Sequence, residues 1–345
     1  MTVVLHRTNV NDLYTDGVKL LVEYGKHEKS RAGDVQVMPC PVMSIYEKPM
    51  ERVLFDQKRD ANPFFHLFEG LWMLAGRDDT APLVHYVKDF ARFAEANGII
   101  HGAYGYRWRT EFGFDQLEKL VEYLRADPTD RQCVLQMWDC NVSDDLHKGW
   151  KDRPCNTHCY FRVREEQHTR GGDLCIDKVL DMTIMCRSND IIWGAYGANA
   201  VHFSMLLEYM AGRTGCEVGK MYQLSNNFHA YTDILRKVGT PTPIPYAEGM
   251  LPVPMGTDWN KWNNDLEIFM EWHDWLWQQD ATSDDIDLPT DEIVNIWFCT
   301  VAAPMCMINW FYKNNRLDDA RQFTVQIEAP DWRAAADLWL NRRRS

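Results

Sequence analysis

The run NPFFHLFEGLWMLAG, residues 62–76, is apolar on nearly every face when wound at helical pitch. A helix of that kind has no side to give to solvent. Other elements must cover it all round, so the chain must build layers on both of its sides. Asn62 can cap its start, Pro63 suits its first turn and Gly76 suits its exit. Glu69 stands in its middle, and an unpaired buried carboxylate is costly. From this helix alone two readings stay open: a partner for that charge, or use of the buried carboxyl in acid/base work.

The rest of the chain can supply those layers. It has 345 residues, of which 46% are apolar, enough for one large α/β body. No linker, repeat or low-complexity run divides it. The net charge of -13 argues against a broad nucleic-acid surface, so no DNA partner is expected, although a local basic pocket for one phosphate is compatible with it. The start MTVVLHRTNVND has no apolar leader, and no run of about 18 apolar residues occurs. The expectation is a soluble, cytoplasmic protein without a membrane partner. The ten cysteines are scattered through apolar runs, and the default for any one is a reduced core residue.

Periodicity predicts the following elements. Residues 9–26 form an amphipathic helix capped by Asn11 or Asp12. Arg31 to Asp34 form a turn with a guanidinium at its tip, by default a solvated charge, and Val35, Val37 and Met38 follow as a strand. Residues 80–97 form a helix carrying Phe90 and Phe93, and 98–109 a Gly/aromatic turn. An amphipathic helix covers 114–128. Alternating Cys133, Leu135 and Met137 mark a strand. Residues 155–163 and 174–186 make a hairpin. Asn199 to Ala211 is an apolar helix in which Glu208 pairs or points outward. Residues 220–235 run from strand through turn to helix, with His229 and Tyr231 at the junction. Beyond 240 the chain is proline-punctuated and then Trp-rich, with helical segments near 259–278, 291–314 and 331–343. The expected division is 1–250 for the chemistry and 251–345 for a helical extension packed on the same body.

Chemistry concentrates between Arg153 and Asn199. Cys155 follows a proline, and Arg153 and Arg187 are available to favour its thiolate, the reactive form. Asp190 and Asn199 flank a turn with Gly194 and Gly197, where backbone can approach a ligand closely. His229 and Tyr231 offer groups for hydroxyls. The set Cys155, His158, Cys159 invites a metal, but on a strand His158 faces away from the two thiols, and no second ligand pair completes a site. A zinc nucleotide deaminase needs HxE and PCxxC; here the run is PCNTHC and HxE is absent. A Cys-His hydrolase with a distant histidine stays open.

Seven motifs, in order and over residues 10–240, together resemble the thymidylate synthase superfamily. EGLWMLAG is similar to its Glu-bearing helix, which implies that Glu69 is a general acid/base acting through water on the pyrimidine carbonyl. AYGYRWR resembles its Tyr-Gly-x-x-Trp turn at Tyr104, Gly105 and Trp108; the resemblance implies a catalytic-site tyrosine and a folate-side tryptophan. DPTDRQ resembles the element that reaches the phosphate across a dimer, through Arg131. PCNTH resembles the nucleophile loop, giving Cys155. RSND followed by WG resembles the segment with phosphate-binding Arg187 and Ser188, then Asp190 and Gly194. NFHAY resembles the ribose-binding pair, His229 and Tyr231. Arg31 sits where the family has a mobile phosphate-binding arginine.

The resemblance implies a homodimer with a mixed or largely antiparallel sheet covered by helices. It implies a covalent mechanism in which Cys155 adds to C6 of a pyrimidine nucleoside monophosphate and C5 takes a one-carbon unit from 5,10-methylenetetrahydrofolate, without a metal. Reduction then gives a methyl group, or water addition a hydroxymethyl group. Phe90 and Phe93 stand where synthases carry shielding tryptophans, Asn156 replaces a histidine, Gln132 replaces an arginine, and no closing tail is recognisable at LNRRRS. RSND is similar to the deoxycytidylate hydroxymethylase version. These departures favour water addition, with thymidylate synthesis as the alternative. An inactive nucleotide- or RNA-binding relative is the different-class reading, opposed by the intact Cys155, Glu69, Arg187 and His229. Synthases read uracil with an asparagine eight residues after the aspartate, whereas cytosine-specific relatives place aspartate there. Here that position is Ala198. If the turn holds one extra residue, Asn199 meets O4 and N3 of uracil. That favours dUMP over dCMP, although an amide can rotate to suit either base. Hydroxymethylases of this type serve viral DNA modification, so a phage origin is expected.

Overall fold

The sheet that carries the hairpin has six strands. Its order is β1 (Val3–Arg7), β4 (Val42–Tyr46), β9 (Glu217–Ser225), β7 (Asp173–Cys186), β6 (Asn156–Arg170) and β5 (Val134–Gln136). β1 lies parallel to β4 and β7 parallel to β9, while the other neighbours are antiparallel. A smaller sheet joins β2 (Lys26–Ser30), β3 (Gly33–Val37), β10 (Phe228–Tyr231) and β8 (Asn189–Asp190). This computed structural model describes residues 2–343 other than 142, 172, 243, 248, 284, 285 and 291.

Strand alternation gives the large sheet two unlike faces. Ser44, Gln223, Ile184 and Cys159 lie in register on the face beneath the helices, and all are fully buried. Their neighbours Ile45, Tyr222, Thr183 and Tyr160 line up on the other face and stay partly or fully exposed.

The helices of the body are α1 (Val10–Tyr24), α2 (Pro63–Leu74), α3 (Tyr104–Arg109), α4 (Gln116–Ala126), α5 (Asn199–Thr214) and α6 (Thr232–Val238). The C-terminal region adds α7 (Trp262–Leu276), α8 (Ala303–Lys313), α9 (Leu317–Phe323) and α10 (Pro330–Asn341). Every residue of α2 is buried, with Asn62 as its cap and Pro63 in its first turn, as expected. Its neighbours explain the apolar circumference. α5 packs on one side, with Met205 against Gly70. On the other, His273 of α7 stacks on Phe68 at 3.8 Å, and Trp339 of α10 meets Phe64 edge-on at 5.4 Å. One hydrophobic cluster contains residues from Val10 to Leu340.

Several expectations need correction. Asn9, not Asn11 or Asp12, caps α1, accepting from the amides of Asn11 and Asp12. Asn11 is buried and instead ties α1 to Val53 and Phe55. Residues 80–97 are not one helix: Val87 is extended and separates two 3-10 segments, Leu83–His85 and Lys88–Phe93. The Gly/aromatic turn contains α3. Of the two readings open for Glu208 the structure takes the first: it points inward, pairs with Arg52 and accepts from the Met255 amide at 2.6 Å. A buried carboxylate held this way is compensated on both oxygens. Among the described residues no helix is long and apolar enough to cross a membrane.

α3 depends on Gly105. A Cβ there would lie 1.9 Å from the Met73 carbonyl oxygen of α2, a backbone atom that cannot swing aside. Gly105→Ala is expected to destabilise the protein by about 3 kcal/mol, read as the lowered midpoint of thermal unfolding. An unchanged midpoint would refute the close helix contact.

Candidate active site

The register of the hairpin sets the site. Asn156 of β6 pairs with Cys186 of β7, which brings the residues just outside the ladder, Cys155 and Arg187, side by side. The Arg187 amide donates to the Cys155 carbonyl at 2.8 Å. Its guanidinium turns back to the Pro154 carbonyl at 2.8 Å and the Arg153 carbonyl at 3.0 Å, and its Nη2 lies 3.7 Å from Cys155 Sγ. Tyr104 of α3 holds the loop from the other side. Its hydroxyl oxygen accepts from the amides of Cys155 and Asn156, each at 3.1 Å, and from Asn156 Nδ2 at 3.0 Å. Tyr104 therefore positions Cys155 through its backbone.

Burial pushes the Cys155 thiol above its ordinary range. Arg187 and Arg153 pull the other way and Asp152 adds to the rise. Both arginines do favour the thiolate, as expected, but desolvation outweighs them in the resting site. Arg153 is also partly engaged elsewhere, donating to the Asp145 carbonyl at 3.0 Å.

The partner of Glu69 is His202 of α5. His202 Nε2 lies 3.1 Å from Glu69 Oε2, and both side chains are buried. Among the described residues neither atom has a hydrogen-bond partner, so the two meet as a close contact outside hydrogen-bond alignment. A chain of contacts joins this pair to the nucleophile: Tyr104, which holds Cys155, packs its ring on Phe203 at 5.8 Å, next to His202. The sequence offered one signal for His202, a lone imidazole in an otherwise apolar helix three residues after Asn199.

Asp190 precedes a π-helical segment, Ile191–Ala198. Its Oδ1 accepts from the amides of Ile192 and Trp193 at 2.7 and 2.8 Å, while Oδ2 is buried without a partner among the described residues. Burial raises the carboxyl's pKa against the lowering pull of those amides, His229 and Arg59. A π turn closes i to i+5 and so holds one residue more than an α turn. The Asn199 amide donates to the Gly194 carbonyl in that pattern. Asn199 thus stands at the end of this π turn. Its Nδ2 donates to Asn189 Oδ1 at 3.2 Å, and Asn189 Nδ2 donates to Ser225 Oγ at 2.9 Å. A Cβ on Gly194 would lie 2.9 Å from Asn189 Oδ1, so this turn needs its glycine. Asn189 was not singled out from the sequence.

His229 and Tyr231 lie on β10, and His229 pairs in register with Asp190 of β8. The Tyr231 phenol is raised by burial, Asp190 and Cys155, and lowered by Arg31 and Arg92, so these charges surround it. Arg31 sits exposed in the β2–β3 turn, whose Gly33 adopts φ 134 beside the Tyr231 ring. Ser188 is half-buried in the segment between Arg187 and β8. Phe90 and Phe93 are half-buried, 5.3 Å apart, with the Arg92 guanidinium 4.7 Å from the Phe93 ring. Arg92 was not anticipated.

Two expected residues stand apart. Trp108 is fully buried with its ring on Phe203 at 6.1 Å, so it supports α5 and offers no surface to a ligand. Arg131 is exposed beyond β5. The register places Gln136 beside His158 and Val134 beside Tyr160, so the chain running back to Arg131 recedes from Cys155. Cys155, His158 and Cys159 do not converge: Cys159 is fully buried, while His158 bonds Thr157 and Tyr160. Among the described residues His101, Asp144 and Asp145 place ligand atoms within 4.8 Å of one another. Arg107 already donates to both carboxylates, at 2.7 Å to Asp145 and 3.3 Å to Asp144. That cluster braces the loop leading to Arg153.

A family profile described as thymidylate synthase matches residues 12–242. The deoxyuridylate hydroxymethyltransferase of Pseudomonas phage M6 is 39% identical over 360 aligned residues, spanning 99% of this chain and 95% of that protein. The deoxyuridylate hydroxymethyltransferase of Bacillus phage SP01 is 34% identical over 231 residues, spanning 64% of this chain and 57% of that protein.

Proposed function

This chain belongs to the thymidylate synthase family, and on that premise we propose that it transfers a hydroxymethyl group to C5 of dUMP. The observation that carries the reading is the extent of the likeness to the phage M6 enzyme. It runs over 99% of the chain, into the C-terminal region that lies beyond the synthase profile's limit at 242.

Cys155 Sγ bonds to C6, and the displaced electron pair makes C5 a nucleophile. Arg187, Ser188 and Arg31 hold the phosphate, since forked guanidinium donors match its oxygens. His229 and Tyr231 hold the sugar hydroxyl. Asn199 reads the base, its carbonyl accepting from N3 and its amide donating to O4. Its bond to Asn189 supports this orientation. Glu69 handles protons at the pyrimidine carbonyl. The co-substrate, 5,10-methylenetetrahydrofolate, supplies one carbon at the oxidation level of formaldehyde. The buried, unpartnered Oδ2 of Asp190 suits an N–H of its pterin, with Gly194, Phe90 and Phe93 beside it and Trp108 as packing below.

The working unit is a homodimer joined through the outer face of the large sheet. That face carries exposed Val4, Val134 and Tyr160 beside partly exposed Met43, Ile45 and Leu224. Arg131, remote from its own site, then serves the partner's phosphate. The relatives' phage origin supports action on free nucleotide in a host cytoplasm.

Product mass after incubation with the folate and dUMP or dCMP tests the reading. A gain of CH2O on dUMP is expected; a gain of CH2 with dihydrofolate formed would overturn it in favour of methylation. Asn199→Asp is expected to shift the dCMP-to-dUMP ratio of kcat/KM by on the order of 100-fold toward dCMP, since a carboxylate accepts from the cytosine amine and repels O4. An unchanged ratio would remove Asn199 from base reading.

A further inference from the structure

We propose that His202 is the proton partner of Glu69 in the water-addition step, an inference that rests on the hydroxymethylation reading above. The step itself defines the need. The oxygen of water bonds to the exocyclic carbon on C5. The electron pair of that carbon's double bond moves onto C5, where the C4 carbonyl stabilises it, and then forms the C5–C6 double bond as the Cys155 sulfur leaves. No outside reductant takes part. The O–H bond of water breaks, and its proton must be accepted within the site. A methyl-forming reaction uses hydride at this point and has no such proton to place.

Glu69 also serves the pyrimidine carbonyl, so one carboxyl faces two proton tasks. His202 supplies a second acceptor at the right place. Its Nε2 is 3.1 Å from Glu69 Oε2, across the α2–α5 contact. Both groups are buried, and among the described residues neither atom has a hydrogen-bond partner, so the 3.1 Å contact needs only to align for a proton to cross. The proton of water passes to Glu69 and on to His202 Nε2. The other imidazole nearby, His66 of α2, is held well below its ordinary pKa by burial, Arg59 and His202, and stays neutral. Because His202 acts through Glu69, it is a positioning residue for protons rather than a group that meets the substrate.

The test separates the water step from the steps before it. Enzyme, folate and dUMP labelled with tritium at C5 give two counts: tritium released and hydroxymethyl product formed. In the unaltered protein the two counts are equal. In His202→Gln and His202→Asn, product per tritium released is expected to fall to roughly one-tenth or less, with the shortfall captured by added 2-mercaptoethanol as a C5 thioether. The ratio does not depend on how much of a variant folds, and a merely structural role leaves it at one, which would overturn the proposal. A folate-free reading runs the same step backwards. Given 5-hydroxymethyl-dUMP in water enriched in oxygen-18, the unaltered protein exchanges the label into the hydroxyl and Cys155→Ser does not. His202→Gln is expected to slow that exchange on the order of 100-fold, and exchange at an undiminished rate would overturn the proposal. If the unaltered protein releases tritium but forms a methyl product and exchanges no oxygen, the hydroxymethylation reading itself fails. That outcome differs from a changed ratio in the variants.

Discussion

Cys155→Ala protein is expected to form no covalent adduct with dUMP and to lose turnover by at least about 10⁴-fold, while still folding and still binding nucleotide. The fold tolerates the change because the bonds that shape the loop are made by backbone. The Arg187 amide meets the Cys155 carbonyl, and the Cys155 amide meets Tyr104. Arg187 keeps its bonds to the Pro154 and Arg153 carbonyls, so phosphate binding survives. Denaturing mass spectrometry after incubation with nucleotide reads the adduct directly. Undiminished turnover by the variant would sink the covalent mechanism. The resting thiol adds a pH signature. Burial raises its pKa above the ordinary 9.0, so the folded state favours the protonated form. Alkylation of the Cys155 peptide by iodoacetamide is expected to stay slower than that of free cysteine up to pH 9, and to climb only above it. The stability tied to the protonated thiol is complete below pH 9 and is lost as the pH rises through the folded value.

Removal of residues 251–345 is expected to leave a chain that does not fold. The proposed boundary near 250 marks a change in sequence character, but the hydrophobic cluster runs across it. Truncation would strip His273 from Phe68 and Trp339 from Phe64, exposing one side of a helix with no polar face. It would also take the Met255 amide from Glu208, leaving the buried carboxylate with Arg52 alone. Aggregated product or a non-cooperative melt is the expected result. A soluble 1–250 protein that dimerises and turns over dUMP would show that the C-terminal helices are an accessory surface instead.

Helices and strands that bury one clean face, or all faces, were legible from the spacing of apolar residues alone. α2, α4 and the long hairpin stood out because their apolar spacing is set by the core they meet. β2 was not legible: Lys26–Ser30 is exposed at every position, so no alternation marks it, and β3 pairing alone makes it a strand. The break at Val87 was hidden because apolar residues on both sides kept a helical rhythm. In the site, residues adjacent in sequence to Cys155 or to Arg187 could be found by motif. Glu69 was recognisable as an anomaly, but its partner could not be named, since the pairing is created by two helices far apart in the chain. The net thiol behaviour of Cys155 could not be read for a similar reason: sequence displays the nearby arginines and not the depth of burial.

The π-helical segment before α5 works like a slack link in a chain. An added residue in a regular helix would rotate everything behind it by about 100° and move Glu208 away from Arg52. Gly197, with φ -107 and ψ -111, is where the backbone departs from helical angles, two residues before α5 begins at Asn199. From there α5 runs regularly against α2 and α4. On the proposed assignment of Asn199 to the base, the residue offered to substrate lies at the irregular start of this helix, while the regular part stays locked against its neighbours. That assignment would leave substrate choice and structural integrity on separate parts of one helix.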